Sequence, residues 1–360
     1  MVLVDVPNVV RSMDEVIRVR QHNLKFKRPA GTSRGILTGK PSWILLYQGE
    51  KEEYWSECPV IPGLSPDFIS EEAYLENLNQ ALVQFQDLLK KENELSFPAV
   101  LTSNWENFPS ILFGLEILWR KIQLQSNLIY DNPASRGQQK IPINGLIWMG
   151  DLDFMVQQLE EKLTLGFTTI KFKIGALDWE KELGLLSGLR KRFDADTIEI
   201  RVDANGAFSS ENVVDVLQSL KELEVHSIEQ PIRAGNPTLM HELQQLNLVP
   251  IALDEELIGV NSVEEKRSLL HTIRPKYIVL KPSLHGGFHG TTEWISLAES
   301  MGIGWWVTSA LESSIGLDAI AQFTGNFQNL LPQGLGTGSL YENNFPANWI
   351  VEKGFIQRVV

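Results

Sequence analysis

The chain has 360 residues, 43% of them hydrophobic, enough for a barrel-sized core of about 200 to 250 residues plus a second, smaller domain; a disordered chain is excluded. Lys+Arg 32 against Asp+Glu 45 gives a formal charge of -13, which argues against a nucleic-acid partner and for small-molecule chemistry. The single cysteine, Cys58, forbids an intramolecular disulfide, no run approaches the roughly 18 apolar residues of a membrane span, and MVLVDVPNVVRSMDEVIRVRQ carries too many acids for a signal peptide, so a cytoplasmic protein is expected.

In chain order, GTSRGILTGK (residues 31–40) has the composition of a mobile lid, with Ser33 and Arg34 between two glycines and within reach of a substrate carboxylate. SWILLYQ and EEYWSECPV, separated around Gly49 and Glu50, read as a hairpin. Ser70 opens SEEAYLENLNQALVQFQDLLKKENE as a capping-box helix start, a second helical run follows Pro109, and DNPASRGQQK (residues 131–140) has the composition of a linker. These features predict an α+β domain over 1–135.

From Ile141 the pattern becomes strand then helix about every 25 to 30 residues, which implies βα units, a parallel sheet and right-handed crossovers. At least seven units in succession, with no glycine-rich dinucleotide fingerprint after any strand, favour a closed barrel over an open doubly wound sheet. LPQGLGTG leaves room for only a short last strand. The expected fold is α/β, a modified TIM barrel of (β/α)7β type over 141–339, with the tail from about 340 to 360 returning to the N-terminal domain.

The strands end in charge. Lys171 and Lys173 close LGFTTIKFKIG, Asp203 closes TIEIRVDAN, Glu229 closes VHSIEQP, Asp254 and Glu255 close VPIALDEE, and Lys281 closes PKYIVLKP. Charge at the tip of an apolar strand is costly without a task. The steps from 203 to 229, 254 and 281 are 26, 25 and 27 residues, one βα unit each, so the whole set falls on one rim of the barrel. Three carboxylates from adjacent strands suit a hard divalent ion, Mg²⁺ or also Mn²⁺, whereas zinc is disfavoured because no His or Cys joins them; His285 and His289 sit in LHGGFHG as loop residues. Beside such an ion, a lysine of lowered pKa can remove a proton next to a substrate carboxylate, and a second ammonium can stabilise the resulting enediolate. Phosphoryl transfer lacks its phosphate-cradling glycine loop.

KFKIG, RVDANGAF, SIEQPI, ALDEE and VLKPSLHGG resemble the enolase superfamily, in its muconate-lactonizing subgroup. The resemblance implies an N-terminal α+β capping domain over the barrel, Asp203, Glu229 and Asp254 as metal ligands, Lys173 as acid/base, Lys281 facing it, and Lys171, Asn205 and Glu255 in support. KPSLHGGF, TSALESSIGL with Glu312, and SECPVIPGLSPD are similar to the dehydratases of that subgroup that form o-succinylbenzoate in menaquinone and phylloquinone synthesis. That implies a one-face syn elimination from a small-molecule carboxylate. Racemisation of N-acylamino acids by the same two lysines is the alternative, and a catalytically inactive binding relative is a remote third. Substrate contacts are expected from Ser33 and Arg34, from Arg201 on the inward face of its strand, and from Ser309 and Ser313 where a helix N-terminus favours an anion. Trp305 and Trp306 read as packing.

Overall fold

Apolar residues are consecutive along 43–46, and 54–60 places Tyr54 and Trp55 on opposite faces, so each strand there must bury two faces. In the computed structural model, which describes residues 4–5, 17–32, 35–91 and 94–359, they do so in a four-stranded antiparallel sheet of β1 (Val4–Asp5), β2 (Ile17–Thr32), β3 (Gly35–Gln48) and β4 (Glu53–Pro59). Trp43, Leu45 and Cys58 pack on helices α1 (Glu71–Leu89) and α3 (Pro109–Leu124), with α2 (Ala99–Asn104) alongside; Ile44 and Leu46 pack on Phe345 from the tail. The segment 31–40 is mostly not a loop, since Gly35 to Lys40 belong to β3 and pair back onto β2. Ser33 and Arg34 lie outside the described residues.

Ser70 caps α1 by accepting from the Ala73 backbone N–H, but the third helical residue is that alanine, so no capping box forms. The box occurs instead at Ser262 and Glu265. The segment 131–140, linker-like in composition, is a packed turn. Asn132 accepts from the Ser135 backbone and donates to the Gln322 carbonyl, and Ala134 and Ser135 are buried. Asn and Ser can satisfy a turn internally as readily as they can face water.

Seven parallel strands follow in sequence order: β6 (Gly145–Ile147), β7 (Thr169–Lys173), β8 (Glu199–Asp203), β9 (Ser227–Glu229), β10 (Ile251–Leu253), β11 (Tyr277–Leu280) and β12 (Gly304–Val307). They alternate with α4 (Leu152–Thr164), α5 (Trp179–Arg192), α6 (Val213–Glu222), α7 (Pro237–Gln245), α8 (Val263–Ile273), α9 (Gly287–Ser300) and α10 (Ser314–Thr324). The ring closes through two residues. Gln333 donates to the Pro142 carbonyl (2.8 Å) and accepts from Asn144 (3.0 Å), while Gly334 donates to Val307 (2.8 Å) and accepts from Ser309 (3.1 Å). A side chain at Gly334 would stand 2.1 Å from Thr308 Oγ1, so glycine is what lets the seam come together. The architecture is therefore the (β/α)7β barrel.

The tail divides. Residues 340–345 run beside β2, with Glu342 donating to the Lys25 carbonyl, whereas the hairpin of β13 (Trp349–Glu352) and β14 (Phe355–Arg358) pairs with the short strand β5 (Ile141–Pro142). Inside the barrel, Ala252, Val279 and Trp306 form a floor layer; Trp305 faces outward onto Phe327. No helix among the described residues is long and apolar enough to cross a membrane.

Two carboxylates from the N-terminal region cap barrel helices. Glu116 of α3 accepts from the backbone N–H groups of Phe288 (2.6 Å) and His289 (3.2 Å) at the start of α9. Burial outweighs these bonds and pushes the Glu116 carboxyl up to about 7. Between roughly pH 4.5 and 7 the unfolded chain has released a proton that the folded chain keeps, so stability falls as pH rises through that window. Glu116→Gln should flatten this dependence by up to about 3 kcal/mol, read from urea unfolding at pH 5 and 7.5; an unchanged slope would refute the assignment.

Candidate active site

Residues two apart on a strand share a face, so Lys171 and Lys173 both point from β7 into the barrel, as do Arg201 and Asp203 from β8. Lys173, Asp203 and Glu229 are direct neighbours across β7, β8 and β9. Asp254 and Lys281 are the first residues beyond β10 and β11. Lys171, Lys173, Asp203, Glu229, Glu255 and Lys281 line one cavity of about 840 Å³, with Phe26, Ile61 and Leu64 of the N-terminal region on its far wall. Asp254 is fully buried behind Lys281.

The ammonium groups occupy the carboxylates. Lys171 sits between Glu229 (2.5 Å) and Asp203 (3.0 Å), Lys173 binds Asp203 (3.1 Å) and the Asn205 amide oxygen (2.7 Å), and Lys281 pairs with Asp254. The expected convergence of Asp203, Glu229 and Asp254 on one ion is therefore not present in these side-chain positions: among the described residues no three His, Cys, Asp or Glu side chains are grouped to hold a metal. Lysine intercalates because a buried carboxylate takes the nearest countercharge. The donor set nevertheless fits a hard cation. Glu229 Oε1, Asp254 Oδ1 and Glu255 Oε2 are buried with no hydrogen-bond partner, a costly state that oxygen ligation of Mg²⁺ would relieve.

Burial alone would lower the Lys281 ammonium, but Asp254, Glu255 and Glu229 outweigh it and hold Lys281 above its ordinary range; Lys171 is raised in the same way by Asp203 and Glu229. Both are thus held as ammonium groups, as suits the supporting and charge-stabilising parts expected of them. Burial would raise Asp203, yet Lys171, Lys173 and Lys281 hold it well below the usual carboxylate range. Glu229 goes the other way, raised by burial and by Asp203, and Glu255 is raised by burial and by Asp254. Asn205, in the left-handed region at φ 46°, bridges Lys173 to Glu255 through its amide nitrogen (3.0 Å).

Two expected substrate contacts are otherwise engaged. Arg201 faces inward but lies at the barrel floor, bonded to Glu199 (2.7 Å) and the Pro332 carbonyl (2.8 Å) and stacked 4.5 Å from the Trp306 ring, because a residue two positions before the strand end sits one layer deeper. Ser313 does begin α10, but the anion at that helix start is Glu57 of β4, which accepts from Ser313 N–H (3.0 Å), Ser313 Oγ (2.6 Å) and Gly316 N–H (3.0 Å). Ser309 lines the cavity while donating to Glu312 (2.6 Å). The sequence reading missed Glu57 and Lys40, which lie within β4 and β3 rather than at the strand tips where charge was the signal for the barrel. It also missed Trp148, whose backbone is held at both ends by the Gln158 amide (3.0 and 3.1 Å) and whose ring faces Lys173 at 5.8 Å.

Residues 154–359 match a family model described as Enolase C-terminal domain-like. The chain belongs to the enolase superfamily. It is 43% identical to the o-succinylbenzoate synthase of Desulfotalea psychrophila over 94% of this chain and 97% of that protein. The crystal structure of MenC from the same organism superposes with a TM-score of 0.80 at 39% identity, covering 95% of this chain and 99% of that one. A muconate lactonizing enzyme from Pseudomonas fluorescens, 20% identical and covering 95% and 92% of the two chains, shares the fold with a TM-score of 0.76.

Removing the Glu57 carboxylate would leave α10 with only its Ser313 cap and leave Lys40, whose pKa is lowered by burial against the opposing pull of Glu57 and Glu312, with one acid fewer beside it. Glu57→Ala should cost about 3–5 kcal/mol of unfolding free energy, measured by denaturant titration; a loss below about 1 kcal/mol would show the cap to be incidental.

Proposed function

We propose that this enzyme, a carbon–oxygen lyase, removes water from 2-succinyl-6-hydroxy-2,4-cyclohexadiene-1-carboxylate to give o-succinylbenzoate, a step toward menaquinone or phylloquinone. The observation that carries the reading is the meeting of Lys173 and Lys281, from strands on different sides of the barrel, in one cavity above buried carboxylates. The long relationship to an o-succinylbenzoate synthase supports it.

Asp203, Glu229 and Asp254 would hold Mg²⁺, with the unpartnered oxygens of Glu229 and Asp254 as the natural donors. When bound, the ion supplies Lewis-acid polarisation of the substrate carboxylate. Lys173 takes the proton beside that carboxylate and returns it to the departing hydroxyl on the same face. Asn205 and Asp203 fix the direction of its amine through the two contacts already described. Lys281, held in its charged form by Asp254, is suited to stabilise negative charge as it develops and poorly suited to accept a proton. Phe26, Ile61, Trp148 and Leu311 supply the apolar walls for the ring. Residues 1–135 with the tail would act as a cap over a barrel of 141–339, since Phe26 and Ile61 reach the cavity from the N-terminal side. The enzyme would work in the cytoplasm on a small carboxylate.

Lys173→Ala should reduce the dehydration rate by about 10²–10⁴-fold, followed by the ultraviolet change as the diene becomes aromatic, while Mg²⁺ affinity by calorimetry stays within a few-fold. Retention of the rate would remove Lys173 as the base. Two amines on one cavity also suit a second activity, racemisation of N-acylamino acids, in which Lys173 would take the proton and Lys281, held charged, would donate one to the opposite face. Lys281→Arg should keep measurable dehydration, where charge suffices, and lose racemisation, where a proton must move; equal loss in both assays would contradict the electrostatic role.

A further inference from the structure

Glu312 is fully buried at the end of the loop after β12, and its two carboxylate oxygens go to different loops. Oε1 accepts from Ser283 Oγ (2.5 Å) and Oε2 from Ser309 Oγ (2.6 Å). Ser283 lies two residues beyond Lys281, in a single 3₁₀ turn in which the Leu284 N–H donates to the Lys281 carbonyl (2.8 Å) and the Lys281 N–H donates to His285 Nδ1 (3.0 Å). Ser309 is on the cavity wall.

The second loop is under strain. Leu311 adopts φ 63°, a left-handed conformation that a branched side chain rarely takes. It is held by Ser309 Oγ accepting from its N–H (3.0 Å) and by Tyr341 donating to its carbonyl (2.6 Å), and its side chain joins Leu284, Phe26 and Ile61 in one apolar cluster beside the cavity. Below this loop Lys40 is buried on β3, donating to Ser42 Oγ and the Val60 carbonyl (both 3.4 Å); burial lowers its pKa, opposed by the nearby Glu57 and Glu312. Glu57 is in turn bonded by Ser42 (2.7 Å) and caps α10. A side chain at Gly316 would stand 2.8 Å from both the Glu312 Cβ and a Glu57 oxygen, so the two acids close around that glycine.

We propose that Glu312 is a positioning residue for the reaction: through Ser283 it fixes the turn that carries Lys281, and through Ser309 it ties that turn to the strained cavity wall. A buried carboxyl group bonded by two hydroxyls from two loops has few rearrangements open to it, which suits a part that must keep an ammonium in register with a reacting carbon. The inference rests on the dehydratase reading and on Lys281 acting in it.

The experiment compares Ser283→Ala, Ser283→Thr, Glu312→Gln and Lys281→Ala with the parent, measuring dehydration kcat and KM with Mg²⁺ saturating and the melting temperature of each. Ser283→Ala should lose roughly 10- to 100-fold in kcat, keep KM within about twofold and melt within a few degrees of the parent. Ser283→Thr, which keeps the hydroxyl, should recover most of that loss, and Glu312→Gln should fall on the side of the alanine variant. A Ser283→Ala kcat within twofold of the parent, or a threonine variant as impaired as the alanine one, overturns the role. If Glu312→Gln does not fold, the two Ser283 variants decide alone. Lys281→Ala retaining the parental rate would instead bring down the dehydratase reading of Lys281, and the positioning role with it.

Discussion

Four carboxylates and three ammonium groups share the inside of one barrel end, and the protein around them is arranged so that none is left in apolar surroundings without a partner. Asp203, Glu229, Asp254 and Glu255 arrive on three successive strands, and Lys171, Lys173 and Lys281 come from either side. The formal sum is one excess negative charge. A divalent cation would reverse it to one excess positive charge, the sign that attracts a carboxylate substrate to a chain whose overall charge would repel it. Because the charges are desolvated, their interactions are far stronger than at the surface, and small displacements change which lysine serves which acid.

The same principle recurs where the N-terminal region meets the barrel. Glu116 and Glu57 each insert a carboxylate at the start of a barrel helix, in place of a local capping side chain for α9 and in addition to Ser313 for α10. These contacts are directional. Apolar surfaces alone would let the two regions slide, whereas backbone N–H groups aimed at one oxygen fix both angle and distance. The cavity wall contributed by Phe26, Ile61 and Leu64 therefore stands at a defined height above the lysines.

Much of this was legible in the sequence because barrel strands repeat a rule: apolar run, charged tip, helix, and again. That rule located the seven charged residues on one rim and anticipated the short last strand. It did not reveal that Lys171 would lie between Asp203 and Glu229, since strand alternation gives a side chain's face but not its rotamer. It placed Arg201 on the right face and one layer too high in function, because depth along a strand depends on the register of the neighbours. Ser313 was read as a free helix start; the acid that fills it lies 256 residues away, and no local pattern encodes such a pairing. The cavity walls were invisible for the same reason, being assembled from segments as distant as Phe26 and Leu340.

The ring is completed by the few main-chain bonds of Gln333 and Gly334 to Pro142, Asn144, Val307 and Ser309. The bonds to Pro142 and Asn144 join segments about 190 positions apart in the chain, whereas those to Val307 and Ser309 reach back only about 25, so the long-range closure cost falls on one side of the seam. Until that suture is made, the curved sheet is an open trough with its acids and amines facing water. The dry, high-field character of the catalytic end thus depends on residues 333 and 334, and a chain that stops short of them has all seven charged groups and no vessel to concentrate them.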